Sequence, residues 1–192
     1  MLIYILLWSW LMTEPDVQSV GNVNDFTLTN AIDGKTFSLS SLKDYSAVAV
    51  IFTSNDCPYD KLYSKRIEKL LDHYRDLNVA FVLINPNDAS LRPDDTNRVM
   101  SQKLEDLHWD VPYLLDKDQK VAAMFGAQKT PEAFVLKYLN DSFQILYRGS
   151  IDDNPQVASD ITNHYLKQAL ESTLNEERIL VNSTYPTGCM IK

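Results

Sequence analysis

The stretch Ala47-Val48-Ala49-Val50-Ile51-Phe52-Thr53 constrains the fold more than any other part of the chain. It is almost continuously apolar, has the length of one strand and shows no alternation, so it reads as a strand buried on both faces. A polar turn, Ser54-Asn55-Asp56, leads to Cys57 and Pro58. Beyond them Leu62, Ile67, Leu70, Leu71 and Tyr74 recur at helical spacing, with proline just inside the helix start. A cysteine therefore stands where a buried strand passes into a helix. Unpaired backbone N–H groups and the helix dipole favour an anion there, and a thiolate is an anion.

The neighbouring patterns extend this unit. Phe26-Thr27-Leu28-Thr29 and Thr36-Phe37-Ser38-Leu39 alternate on either side of Ile32-Asp33-Gly34-Lys35, which predicts a β-hairpin with an Asp-Gly turn. Ser40-Ser41-Leu42-Lys43 reads as a short helical turn. Val79-Ala80-Phe81-Val82-Leu83-Ile84 is a second doubly buried strand, so residues 47–84, with a helix at 58–77, form a βαβ unit with parallel pairing. Asp94-Asp95-Thr96 reads as the cap of a helix carrying Val99, Met100, Leu104 and Leu107. Val111-Pro112-Tyr113-Leu114-Leu115 is a shorter strand, and residues 119–125 fit a short helix closed by Gly126. Residues 133–136 and 144–149 predict an antiparallel pair turning through Asn140-Asp141. Ile161, Tyr165, Leu166, Ala169 and Leu170 stripe a last helix.

The order predicts an α/β fold: a central mixed sheet flanked by helices, with an N-terminal hairpin and an inserted αβ pair. Residues 1–23 read as an apolar segment plus linker, 24–175 as the domain, and 176–192 as a polar tail. With 192 residues, the chain is long enough for one well-buried domain.

Composition narrows the function. A net charge of −8, with no long run of lysine and arginine, argues against nucleic acid as a partner. Two cysteines, Cys57 and Cys189, exclude a disulfide-rich scaffold and a paired-cysteine zinc site. His73, His108 and His164 are far apart, so no metal or other cofactor is expected. Residues 1–12 are apolar and uncharged, yet shorter than the roughly 20 residues that span a bilayer. They suit the apolar region of a secretory signal or a lipid-dipping anchor, which predicts an exported or membrane-tethered, periplasmic-type protein. The other reading is a hydrophobic arm on a cytoplasmic domain.

Cys57-Pro58-Tyr59-Asp60 occupies the place of a Cys-x-x-Cys redox pair, with Asp60 where the second cysteine would stand. No local disulfide can form. A lone thiolate can still attack a disulfide, a peroxide or a sulfenic acid. Asp56 and Asp60 oppose the helix start. Read as partly exposed and screened charges, they leave Cys57 modestly activated. The plainer alternative is a buried, inert cysteine at a helix start. Cys189 follows Pro186 and Gly188. A flexible tail could fold it back to resolve an oxidised Cys57, or it is an unrelated thiol. Thr130-Pro131 precedes a strand, where proline removes no ladder donor.

Several spaced motifs together resemble one family. They are Phe52-Thr53-Ser54-Asn55-Asp56-Cys57-Pro58-Tyr59, Val82-Leu83-Ile84-Asn85-Pro86-Asn87-Asp88, Val111-Pro112-Tyr113-Leu114-Leu115-Asp116, Phe125-Gly126-Ala127 with Thr130-Pro131, Tyr147-Arg148-Gly149 with Ile151-Asp152-Asp153, and Gly188-Cys189-Met190-Ile191-Lys192. The chain from about residue 24 onward is similar to the redoxins, and within them to the peroxiredoxin-like alkyl hydroperoxide reductase/thiol-specific antioxidant proteins of thioredoxin-like fold. The resemblance implies a thioredoxin-type active-site position for Cys57 and a cis proline at Pro131, facing it. Thr130, next to that proline, would offer its backbone to a bound peptide. Pro58, Tyr59 and Asp60 would be active-site neighbours.

The expected activity is that of a thiol–disulfide oxidoreductase, or a thiol-dependent antioxidant reductant, with Cys57 as nucleophile. Its partners would be a protein disulfide or thiol, or a peroxide, and an external thiol reductant. The alternatives are a non-catalytic binding module of the same fold and a weak thiol peroxidase. Against the last, Ser54 and Val50 stand where true peroxidatic motifs carry threonine and proline.

Overall fold

The apolar run has no polar face to show water, and it lies in the middle of the sheet. A computed structural model describes residues 18–88, 90 and 95–192. Its strands are β1 (Gly21–Val23), β2 (Thr27–Asn30), β3 (Thr36–Ser38), β4 (Ala47–Phe52), β5 (Val79–Asn85), β6 (Tyr113–Leu115), β7 (Lys129–Thr130), β8 (Glu132–Leu139), β9 (Ser142–Gly149) and β10 (Cys189–Met190). Its helices are α1 (Pro58–Tyr74), α2 (Asn97–Leu107), α3 (Lys120–Phe125) and α4 (Tyr165–Leu174). The large sheet runs β1-β9-β8-β4-β5-β6-β2-β3. β4, β5 and β6 are parallel neighbours, and the remaining pairs are antiparallel. This is the mixed, helix-covered sheet of the thioredoxin-like fold.

All six side chains of β4 are buried, and they alternate between two cores. Ala47, Ala49 and Ile51 face Tyr63 and Ile67 of α1, Met100 and Leu104 of α2, and Leu166, Ala169 and Leu170 of α4. Val48, Val50 and Phe52 face the other way, with Val121, Ala122 and Phe125 of α3 and with Phe26, Leu39 and Leu42. There Phe52, Phe125 and Phe134 meet edge to face at centroid separations of 5.0–5.6 Å, the geometry that aromatic quadrupoles prefer. β4 and β5 pair over their length, Ala47 with Val79 through Phe52 with Ile84. Both strands therefore deliver their C-terminal ends to the same side of the molecule.

Four expectations change. The linker read over residues 13–23 ends sooner, because Gly21–Val23 adds to the edge of β9 as β1. Three residues are too few to show a period. The first helix stops at Tyr74, short of residue 77. Ile161 lies outside α4, in extended backbone after a 3-10 turn at Ala158–Asp160. The tail is bound to the domain and contributes a strand, β10, on β7. Residues 1–17, with the apolar segment expected to contact membrane, lie outside the described residues. Among the described residues no helix is long and apolar enough to cross a membrane.

Candidate active site

Cys57 is the N-cap of α1, with Pro58 at the first helical position. It is 2% exposed, at the end of the turn that follows β4. Its carbonyl accepts the Lys61 N–H at 3.3 Å, the first bond of the helix, and no side chain caps the helix end. The positive end of the dipole of a 17-residue helix therefore lies at the residue that carries the sulfur. Across from it, the Thr130–Pro131 peptide is cis. The Thr130 carbonyl oxygen lies 3.2 Å from Cys57 Sγ.

The second cysteine, 132 residues on, is joined to the first. Cys57 and Cys189 form a disulfide with Cα atoms 5.9 Å apart, S–S 2.04 Å and χ3 83°. That separation is within the ordinary disulfide range. Because the bonded sulfur carries no proton, the approach to Thr130 is a close contact here. β10 runs antiparallel to β7, with Cys189 opposite Thr130 and Met190 opposite Lys129. The expected flexible tail is instead an ordered strap. The Arg148 N–H donates to the Asn182 carbonyl at 3.1 Å, and the Thr184 N–H to the Arg148 carbonyl at 3.0 Å. Thr184 Oγ1 accepts the Ser150 N–H at 2.8 Å. Lys129 Nζ reaches the Pro186 carbonyl at 3.1 Å. Ile191 N–H donates to Gln128 O, and Lys192 N–H to Asn87 Oδ1.

Asp60 corrects the sequence reading most directly. It is buried, at 2% exposure, and not a screened surface charge. It turns inward because Thr53 Oγ1 and the Ser54 N–H both donate to its carboxylate. Burial pushes its pKa up to about 6, although Lys103 and those donors pull the other way. Lys103, on α2, is itself drawn below its ordinary range by burial, with Asp60 and Asp95 opposing. Pro58 and Tyr59 begin α1 beside Cys57.

Three residues that the sequence reading did not assign to the site build its walls. The cap read at Asp94-Asp95-Thr96 falls on Thr96, the N-cap of α2, and not on Asp95. The Asp95 carboxylate instead accepts Ser54 Oγ–H at 2.8 Å, Asn55 N–H at 2.7 Å and Asn87 Nδ2–H at 2.9 Å. It ties the turn before Cys57 to the end of β5. Tyr113 OH donates to Asn55 Oδ1 at 3.2 Å from β6. Glu132, buried next to Pro131, accepts the Gln128 and Lys129 N–H groups at 2.9 and 3.3 Å and so fixes the loop before the proline. The one advance signal was a lone acid at the head of an apolar strand. The Ile151-Asp152-Asp153 segment is structural: Asp152 accepts Arg66 Nη1 at 2.9–3.0 Å and Tyr63 OH at 3.2 Å, locking α1 to the loop after β9. Among the described residues no three His, Cys, Asp or Glu side chains are grouped to hold a metal.

The family model of the AhpC/TSA family matches residues 21–152, more than half of the chain. The chain belongs to the AhpC/TSA family. Two solved structures are similar over nearly its whole length. One is a hypothetical protein from Sinorhizobium meliloti 1021, 31% identical, TM-score 0.82, covering 91% of this chain and 94% of its own. The other is an uncharacterized conserved protein from Geobacillus kaustophilus, 30% identical, TM-score 0.83, covering 92% of each. At the level of fold alone the chain is similar to the peroxidoxin BcpB of Mycobacterium tuberculosis, 19% identical, TM-score 0.58, covering 83% of this chain and 97% of that one. No curated protein matches. In this AhpC/TSA-family chain, then, the elements of the fold bring Cys57, Thr130, Pro131 and Cys189 into one place. They set Asp60 behind that place, bound to Thr53 and Ser54 just beyond the end of β4.

Proposed function

We infer that this AhpC/TSA-family protein is a thiol–disulfide oxidoreductase in which Cys57 attacks and Cys189 resolves. The observation that carries the reading is the disulfide itself, which joins a helix N-terminus to a strand paired with Thr130. In the reduced chain the Cys57 thiolate attacks a substrate disulfide. A new S–S bond forms to one substrate sulfur, and the other leaves as a thiolate that takes a proton. The Cys189 thiolate then attacks Cys57 Sγ, the Cys57–Cys189 bond forms, and the first substrate sulfur departs reduced. An external dithiol returns both cysteines to the thiol state. Asp60 leaves no second motif cysteine to do the resolving, and Cys189 supplies the missing sulfur from the far end of the chain. An oxidising, extracytoplasmic setting suits such a protein, and the apolar residues 1–12 fit an export or anchoring segment.

Mass spectrometry of the protein with and without reductant, together with turnover of a disulfide substrate, tests this. The expected result is a Cys57–Cys189 link that opens with dithiol, turnover lost in Cys57→Ser, and a trapped mixed disulfide at Cys57 in Cys189→Ser. A reduced Cys57 with a pKa at or above about 8.5, the free-thiol value, and no turnover overturns the reading in favour of a binding module. Peroxide consumption abolished by Cys57→Ser but kept by Cys189→Ser with added thiol identifies a peroxidase instead.

A further inference from the structure

One residue of the site has no room for a side chain. Gly188 precedes Cys189, and a Cβ added to it would stand 2.3 Å from the Thr130 carbonyl oxygen, 2.7 Å from the Thr130 carbonyl carbon and 3.2 Å from Pro131 N. These are backbone atoms and cannot swing aside. Thr130 is 1% exposed and sits in β7, directly before the proline that leads into β8. The loop before it is held by Glu132 through two backbone N–H groups. Nor can the incoming strand retreat. Cys189 is fixed twice, by its bond to Cys57 and by its antiparallel place opposite Thr130. Any cysteine held by both constraints carries its preceding residue into the Thr130 carbonyl.

We propose that the Cys57 site selects disulfide partners in which the cysteine follows a glycine. The substrate class is an extended polypeptide with a Gly-Cys step, laid antiparallel along β7 with its sulfur on Cys57. This deepens the oxidoreductase reading and rests on it. The tail is the built-in example, Thr187-Gly188-Cys189-Met190, and a substrate must displace it to enter. A residue with a Cβ before the cysteine forces a choice between pairing with Thr130 and bonding to Cys57. Antiparallel strand addition of this kind derives its affinity from main-chain hydrogen bonds and its specificity from the side-chain positions. Here the decisive position is one where any side chain is excluded.

The test uses two synthetic peptides, Thr-Gly-Cys-Met-Ile-Lys and Thr-Ala-Cys-Met-Ile-Lys, each with its cysteine in a disulfide to 2-thiopyridine. They react with the reduced, full-length Cys189→Ser chain. The Cys57 thiolate bonds to the peptide sulfur, the peptide–pyridyl S–S bond breaks, and the pyridinethiolate leaves and is followed by its absorbance. The serine tail competes equally with both peptides, so the ratio of rates reports the groove alone. The glycine peptide is expected to react at least tenfold faster. In the otherwise native chain, Gly188→Ala is expected to shift the equilibrium with dithiothreitol at least tenfold toward the dithiol, while circular dichroism of the reduced form stays unchanged. Equal rates for the two peptides overturn the selectivity and leave the oxidoreductase reading standing. Failure of Cys57 to react with either peptide overturns both.

Discussion

The two sulfurs of the Cys57–Cys189 bond are held in opposite ways. Cys57 belongs to the scaffold: β4 enters from the centre of the sheet, α1 leaves, and Asp95, Asn55 and Tyr113 brace the turn between. Cys189 belongs to a strap that adds little to either hydrophobic core beyond Ile179 and Ile191. The strap is secured by backbone hydrogen bonds and by two places of close approach. One is Gly188 on Thr130. The other is Gly149, where φ is +136° and an added Cβ would meet Thr184 Oγ1 at 2.2 Å. Packing holds the first sulfur and main-chain complementarity the second. The proposed cycle, in which Cys189 must leave Cys57 before a substrate can enter, would use this division: one sulfur on the scaffold and one on the strap.

Reduction should produce the largest effect and is the sharpest way to break this comparison. The bond closes a separation of 132 residues. In the chain-entropy description, opening such a loop costs about 5 kcal/mol of stability, to be read from urea midpoints with and without dithiol. Hydrogen exchange locates the change: the Thr184, Ile191 and Lys192 amides lose protection while β4 and β5 keep theirs. Loss of protection in β4 and β5 as well would mean that the strap holds the scaffold, which erases the distinction. On the scaffold side, Phe52→Ala opens a cavity between Phe125 and Phe134 and should cost about 3–5 kcal/mol in the oxidised and reduced chain alike.

Asp60 gives the next effect, in pH. Burial raises its pKa from 3.8 to about 6, so the folded chain binds this proton more tightly than the unfolded one. The contribution is full below about pH 4 and is lost as pH rises through 6, a fall of about 3 kcal/mol. Asp60→Asn should remove that slope from stability measured between pH 4 and 6; an unchanged slope would place the titration elsewhere. The smallest effect falls on the strap. Thr184→Val removes the acceptor of the Ser150 N–H and the partner of Tyr147 OH and should cost about 1 kcal/mol. It should show in the dithiol equilibrium of the disulfide, with the urea midpoint of the reduced chain unmoved.

The same division explains what could be read in advance. β4, β5 and α1 were legible because burial writes itself into apolar runs and helical stripes. The strap was not, since main-chain groups that accept from Arg148 N–H or donate to Gln128 O and Asn87 Oδ1 impose no period on residues 182–192. Asp95 beside Thr96 has the spelling of a helix cap, and only the fold shows its carboxylate turned to Ser54 and Asn55. Asp60 has the spelling of a solvated first-turn acid. What draws it inside is the pairing with Thr53 and Ser54, which needs the turn to be already formed. Cys57 was placed by pattern alone. Its bond to Cys189 needed the third dimension.

The margins of the large sheet have a consequence for colloidal behaviour. Both outermost strands, Gly21–Val23 and Thr36–Ser38, are three residues long. Short rims offer little template for another molecule to zip onto. β1 also covers part of the eight-residue β9. Trimming the chain to begin after Val23 would bare the Phe143–Ile145 stretch of that edge, and light scattering of the trimmed chain should then show more edge-to-edge association than the full chain does.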